Sequence, residues 1–266
     1  MKLLSGRAVR FSAREALKAD GAVVGAMERV ALVVGGSILA PPELQPDFLG
    51  QIAERLREWS KDRQLLVVVG GGSPARRHIE AARATGVAED LLDRIGIQAT
   101  RLNAQTLACI LRRKGANVNL EIPHSTAQAL RFLEQHDLVV MGGTVPGHST
   151  DYVAVELAVE GRCARLVNAT NVAGVYTRDP NKHKDAQFKR ELSFEEMLAI
   201  IEEREWTAAG APGVIDGPST VLIATKAVPT CVVDGRDLDN LGKAVRGEAF
   251  HGTRITGKPV KLAGVR

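Results

Sequence analysis

The sequence predicts an α/β fold with a mainly parallel central sheet. Three observations carry that expectation. Short valine-rich apolar runs alternate with segments of helical apolar spacing along the chain. Three of those runs end directly in glycine pairs or triplets, at Gly35-Gly36, Gly70-Gly71-Gly72 and Gly142-Gly143. No internal repeat, low-complexity tract or clear linker interrupts the alternation.

Each element has a local reason. Val30 to Val34 is a buried strand, followed at once by Gly35-Gly36-Ser37. Pro41, Pro42 and Pro46 delay the next helix, which runs from about Asp47 to Lys61 with Phe48, Leu49, Ile52, Ala53 and Leu56 at helical spacing. Leu65 to Val69 is a second buried strand, and Ser73-Pro74 starts the helix that carries Arg76 and Arg77. Ala88 to Gly96 reads as a short helix and Thr100 to Lys114 as a separate, longer one. Val118 to Ile122 reads as a strand, Ser125 caps a helix to about Gln135, and Asp137 to Met141 is a strand. A helix from Tyr152 to Glu160 follows, with Asp151 as its cap. Leu166 to Asn171 is a strand leading into a polar turn that ends at Asp179-Pro180. Lys182 to Arg190 is a charged surface segment, and Ser193 begins a helix with Glu195 and Glu196 near its N-terminus. Glu202 to Glu205 is a solvated helix end, and Ala208 to Gly217 is loop-like. Asp216 caps a helix to about Ala224, Thr230 to Val233 is a strand, Asp237 to Val245 a helix, and Gly252 to Ile255 a short closing strand.

Composition narrows the function classes. Of 266 residues, 45% are hydrophobic and 25% charged, which suits a globular protein with a sizeable core. Aromatic residues are only 4%, so a base-stacking platform for single-stranded nucleic acid is not expected. The net charge of +4 contains no long Lys/Arg block, which favours a small anionic ligand over nucleic acid. Cys109, Cys163 and Cys231 lack metal spacing and read as buried thiols of a cytoplasmic protein. No membrane span or signal-peptide core is visible, and Ala13 to Ala19 reads as a short amphipathic helix.

The glycine loops suggest phosphate chemistry. At the carboxyl edge of an open parallel sheet, loops converge where ligands bind, and glycine lets backbone N–H groups approach anionic oxygens. The stretch from Val139 to Asp151 is the fullest case: strand, glycines, hydroxyls of Thr144, Ser149 and Thr150, the His148 imidazole, then a helix N-terminus. It reads equally as an ordinary βα turn. Asp93 reads as a residue of a solvated helix face, and Tyr176 as packing or as a platform for a ring-bearing ligand.

These motifs, in this order, resemble the amino acid kinase superfamily and, within it, the archaeal-type UMP kinases. The matching segments are Gly35-Gly36-Ser37, Val67 to Gly72 with Arg76, Ile95-Gly96-Ile97, Thr100-Arg101-Leu102-Asn103, Val140 to Thr144, Pro146-Gly147-His148, Thr150-Asp151, Val167 to Val172, Gly174-Val175-Tyr176, Asp179-Pro180, Val214-Ile215-Asp216 and Val233 to Asp237. The resemblance implies a three-layer α/β/α sandwich that transfers the γ-phosphoryl group of ATP to UMP. Gly35, Gly36, Ser37, Gly72, Arg76, Thr170, Tyr176 and Asp179 would bind ATP. Gly71, Asp93, Thr144, Val145, Pro146, Gly147, His148, Ser149 and Thr150 would bind UMP. Arg76, Gly36 and Ser37 would carry the catalysis. Mg2+ would ride on the ATP phosphates without protein side-chain ligands. The resemblance further implies a homo-hexamer with Arg101 and Asn103 near subunit contacts, no nucleic-acid or membrane partner, and one domain over residues 30–256. Its UMP-binding part would be about 30–160 and its ATP-binding part about 161–256, between an N-terminal extension (1–29) and a tail (257–266).

The chain departs from the family at three places. Val33 stands where a charged or polar residue is common, Ala173 replaces an Asp, and Val221 stands where a lysine able to meet ATP phosphates is usual. Lys226 is the nearest replacement in sequence. These departures keep a second reading open: a weak or inactive nucleotide-binding or storage protein, similar to the molybdate and tungstate storage proteins. A kinase acting on a carboxylate or carbamate is a third, against which the Gly147-His148-Ser149-Thr150-Asp151 loop argues.

Overall fold

The computed structural model describes residues 27–178, 183–201 and 214–262. The Ala13–Ala19 helix, Asp179-Pro180, Lys182, Glu202 to Glu205 and residues 208–213 lie outside the described residues.

The centre is a seven-stranded sheet of order β3-β2-β1-β4-β8-β9-β7. Its strands are β1 (Arg29–Val34), β2 (Gln64–Val69), β3 (Leu138–Met141), β4 (Arg165–Thr170), β7 (Glu191–Leu192), β8 (Thr230–Asp234) and β9 (Thr253–Ile255). β3, β2, β1, β4 and β8 are mutually parallel. β9 returns antiparallel to β8, so the sheet is mixed at one end. Beside it, β5 (Val175–Tyr176) and β6 (Phe188–Lys189) form a small antiparallel pair, which gives part of the expected charged surface segment a fixed place.

Side chains alternate across a strand, so each valine-rich run feeds two cores. Val30, Leu32, Val34, Leu65, Val67 and Val69 face one layer, built from α1 (Gly36–Leu39), α2 (Pro46–Trp59), α4 (Glu89–Arg113) and α9 (Leu238–Arg246). Ala31, Val33, Leu66, Val68, Val139 and Met141 face the other, built from α5 (Thr126–Leu133), α6 (Thr150–Glu160), α7 (Phe194–Ile200) and α8 (Gly217–Lys226). α3 (Gly72–Arg83) packs on α4. The result is the expected three-layer α/β/α sandwich. No helix among the described residues is long and apolar enough to cross a membrane.

Several local expectations are corrected. The two helices expected on either side of Gly96 are one 25-residue helix, α4. Gly96 lies inside that helix without breaking it, and a Cβ there would make ordinary contact with Ile79 Cδ1 of α3, at 3.4 Å. Residues 118–122 form no strand, only a bridge from Val118 to Leu138. The Asn119 side chain takes the place of strand backbone, accepting from Val140 N at 2.7 Å and donating to Val140 O at 2.9 Å. The cap of α6 is Ser149, whose hydroxyl accepts from Tyr152 N; Asp151 sits inside the first turn. Gly36–Leu39 forms a short helix the sequence did not suggest. Cys109 is exposed on α4, Cys163 partly buried and Cys231 buried, so only the last fits the expectation fully. Burial pushes the Cys163 thiol up to about 12. Ser125, Ser193, Asp216 and Asp237 cap helices as expected, Ser193 in a reciprocal capping box with Glu196.

Candidate active site

Parallel register brings the carboxyl ends of β3, β2, β1, β4 and β8 to one edge. Val34 lies opposite both Val69 and Ala169, and Thr170 opposite Asp234. The loops that follow are therefore neighbours.

The first two glycine loops touch backbone to backbone. A Cβ on Gly36 would come within 2.1 Å of Gly72 N, and one on Gly72 within 2.4 Å of Gly36 O and Ala40 O. Gly72 also has φ +61°, a conformation that favours glycine. Two hydrogen bonds fix the contact: Gly70 N to Val34 O at 3.0 Å and Ser73 N to Ala40 O at 2.8 Å. Each loop then opens a helix, α1 or α3. In α3 the Ser73 N–H is already taken by Ala40 O and Pro74 has none, so the main-chain donors left at this edge are chiefly those of Gly36, Ser37 and Gly72. Main-chain N–H groups of this kind suit an anion. Arg76 stands exposed in the second turn of α3 and makes no ion pair among the described residues.

The third glycine loop, residues 142–149, expected to be the acceptor loop, is held from α4. Thr100 Oγ1 accepts from Gly143 N at 2.7 Å. Arg101 donates through Nε to Gly143 O and through Nη2 to Thr144 O, both at 3.1 Å. Asn103 donates to Gly70 O at 2.8 Å and Gly71 O at 3.0 Å. Asn103 is thus buried within the chain, between α4 and the glycine loop. Asp93 reaches the far end of the acceptor loop, accepting from Gly147 N at 2.7 Å. It lies partly buried on α4, and this bond adds a loop partner to the solvated face expected for it. His148 stacks at a tilt on Tyr152, centroids 4.3 Å apart, with Nδ1 3.9 Å from Glu156.

Behind that loop lies a polar cluster that sequence reasoning missed. Ser149 donates to Asp216, and Ser219 donates to the same carboxylate from both N and Oγ, at 2.8 Å each. The Asp151 carboxyl is fully enclosed although the residue is partly exposed. Burial first, then the nearby Asp216 charge, pushes it up to about 8, while a bond from the Asp216 backbone N–H acts in the opposite direction. Asn168 donates to it at 3.4 Å. No cation among the described residues pairs with either carboxylate. The pairing of residues 149 and 151 with 216 and 219 is long-range, so no local pattern announces it.

The donor-side residues are spread more widely. Thr170 is buried beside the first loop: its carbonyl accepts from Gly235 N at 2.8 Å, and the preceding Ala169 carbonyl accepts from Gly35 N at 2.9 Å. Tyr176 sits on β5, its ring 5.4 Å from that of Phe188, which stacks on His251. Asp179 lies outside the described residues. Val33 is buried in the sheet, and Val221 packs against the core. Lys226 is exposed in the last turn of α8, whereas Asp216 at the other end contacts the acceptor loop. Ten residues of helix separate them, roughly 15 Å, which is beyond the reach of a lysine side chain. Lys226 therefore does not replace the family's lysine.

Comparisons with known proteins agree with this geometry. Residues 28–234 match the family described as the Amino acid kinase family. The uridylate kinase of Methanobrevibacter smithii is 36% identical over 230 residues, covering 86% of this chain and all of that protein. That of Methanothrix thermoacetophila is 39% identical over 222 residues, covering 84% and 96%. The crystal structure of uridylate kinase from Archaeoglobus fulgidus superposes with a TM-score of 0.76 at 35% identity, covering 86% of this chain and all of that one. With its sheet order, its paired glycine loops and this match over most of its length, the chain belongs to the amino acid kinase family.

Proposed function

We propose that the protein is a UMP kinase that transfers the γ-phosphoryl group of Mg·ATP to UMP. The observation that carries this reading is the backbone contact between two glycine loops, Gly36 against Gly72, beside an acceptor loop held by Asp93. Phosphoryl transfer needs donor and acceptor oxygens in line and neutralised, more than it needs a covalent group. Two main-chain cradles in contact meet that need. The names of the relatives, uridylate kinases at 36–39% identity, support the choice of nucleotide.

In this reading Gly35, Gly36, Ser37 and Gly72 hold the donor phosphates, and Gly71 meets the UMP phosphate. Arg76 projects beside the cradle and neutralises charge passing between the two. Thr170, Tyr176 and Asp179 face the donor nucleoside. Asp93 accepts from the UMP ribose hydroxyls, exchanging its Gly147 contact for them. Thr144 to Thr150 enclose the base and phosphate. The Ser149 hydroxyl is engaged by Asp216, so its share falls to backbone and shape. The acceptor phosphate is already anionic, so no general base is needed. Magnesium would be carried by the ATP phosphates, with no protein side chain as its ligand, and would supply neutralisation of their charge. A homo-hexamer remains the expected assembly.

A coupled assay with ATP, magnesium and each nucleoside monophosphate tests the reading. UMP should be the preferred acceptor. Turnover of another monophosphate with none of UMP would overturn the substrate. One observation favours the storage reading: no lysine reaches the donor cradle from positions 33, 221 or 226. Oxyanion retained through purification, with no UDP formed, would support it.

A further inference from the structure

We propose that Arg101 is a positioning residue for the acceptor site, its guanidinium serving as a strut that sets the backbone of the 143–147 loop. The inference rests on the UMP kinase reading and gives a role to a residue that reading leaves unused.

The geometry is specific. A planar guanidinium offers donors in a rigid fork. Here two of them bridge successive carbonyls, Gly143 O and Thr144 O, each at 3.1 Å. Thr100, one residue earlier on α4, takes the Gly143 N–H. Three consecutive peptide units, from residue 142 to residue 145, are therefore fixed in orientation from one helix. Gly142 admits the close approach, since a Cβ there would fall 2.5 Å from Thr100 Oγ1. Elsewhere the loop touches α4 at Ile97, under Gly143, and at Asp93, which accepts from Gly147 N. An open groove of about 350 Å³ runs beside Thr144 and Pro146, lined by Arg94, Ile97, Gln98 and Arg101 of α4. Without the guanidinium, Thr144 and Pro146 have room to move.

The charge is also uncompensated. Arg101 pairs with neutral carbonyls only, and no carboxylate meets it among the described residues. Partial burial lowers its pKa, as expected for a cation held without a counterion. Positive charge under a loop that receives a monophosphate dianion assists binding. Asn103, two positions on and so on another helix face, holds Gly70 and Gly71 instead. One helix thus supports the two loops through separate residues.

The test is Arg101→Met, with Arg101→Lys beside it. Loss of a charge-assisted fork should raise KM for UMP roughly tenfold or more, while KM for ATP changes by less than about twofold. Lysine keeps the charge but cannot bridge both carbonyls, so it should recover only part. Without nucleotide, backbone amides of residues 143–149 should exchange hydrogen roughly tenfold faster in Arg101→Met, with residues 70–72 unchanged. Unchanged exchange at 143–149 overturns the proposal, and so does an equal rise in both KM values. If the wild type does not phosphorylate UMP, the functional reading fails, and the exchange measurement still decides the strut. Should Arg101→Met fail to fold, Arg101→Lys carries both measurements.

Discussion

Asp151 and Arg76 show how burial and exposure divide labour among charged residues. The Asp151 carboxyl is enclosed, faces another carboxylate and meets no cation among the described residues, so it titrates near 8 instead of 3.8. The folded state therefore holds a proton that the unfolded chain releases. The sign follows: its contribution to stability is complete below about pH 4 and is lost as pH rises through about 8. Asp151→Asn removes this dependence. Urea unfolding at pH 5, 7 and 9 should show the variant gaining on the wild type by up to about 1.4 kcal/mol per pH unit, levelling off above about pH 8. A gap that does not change with pH would contradict the assignment. Arg76 is the opposite case, exposed and without an ion pair among the described residues. Arg76→Ala should leave unfolding free energy within about 0.5 kcal/mol of wild type, while kcat/KM falls by roughly 2–4 kcal/mol in transition-state terms. Equal loss of stability and activity would move Arg76 out of the site.

At the scale of elements, strands were more legible than helix boundaries. β1 and β2 are buried on both faces, so their valine-rich runs announce them. Residues 118–122 carry the same apolar signal, but Asn119 satisfies the β3 edge with its side chain, a substitution no pattern reveals. α4 was read as two helices because Gly96 looks like a stop and Thr100 like a start. Its φ is not positive, and a Cβ there would make only ordinary contact with the end of Ile79 on α3, so neither backbone nor packing demands a glycine. Gly96→Ala tests the point. In a continuous helix the alanine should stabilise by about 0.5–1 kcal/mol, since only the mobile end of Ile79 must yield. A loss of stability in chemical denaturation would mean the α3–α4 contact cannot yield. The glycine loops and the acceptor loop were legible in outline. The Asp216 cluster and the Thr100-Arg101-Asn103 supports were not, because they join residues far apart in sequence. Asp216→Ala should cost about 1–2 kcal/mol by thermal unfolding, through the lost α8 cap and the Ser149 contact together. No loss would make that cluster incidental.

Across the whole molecule, sheet order decides where chemistry is possible. Placing β1 between β2 and β4 brings the loops after Val34, Val69 and Thr170 side by side, while β3 on the flank supplies the acceptor loop. Under the proposed function, donor and acceptor phosphates would meet over the Gly36–Gly72 contact. The same view locates the weakness. The lysine that the family resemblance would place at position 221 is a valine here, and Lys226 is in the last turn of α8. In the proposed reading, catalysis would rest on main-chain N–H groups, Arg76 and the magnesium that accompanies ATP. Single-turnover transfer from ATP labelled in the γ-phosphoryl group, with excess enzyme, magnesium and UMP, tests that claim most directly. The account predicts label appearing in UDP as it leaves ATP. Label that stays in bound ATP, or goes only to water, would contradict it.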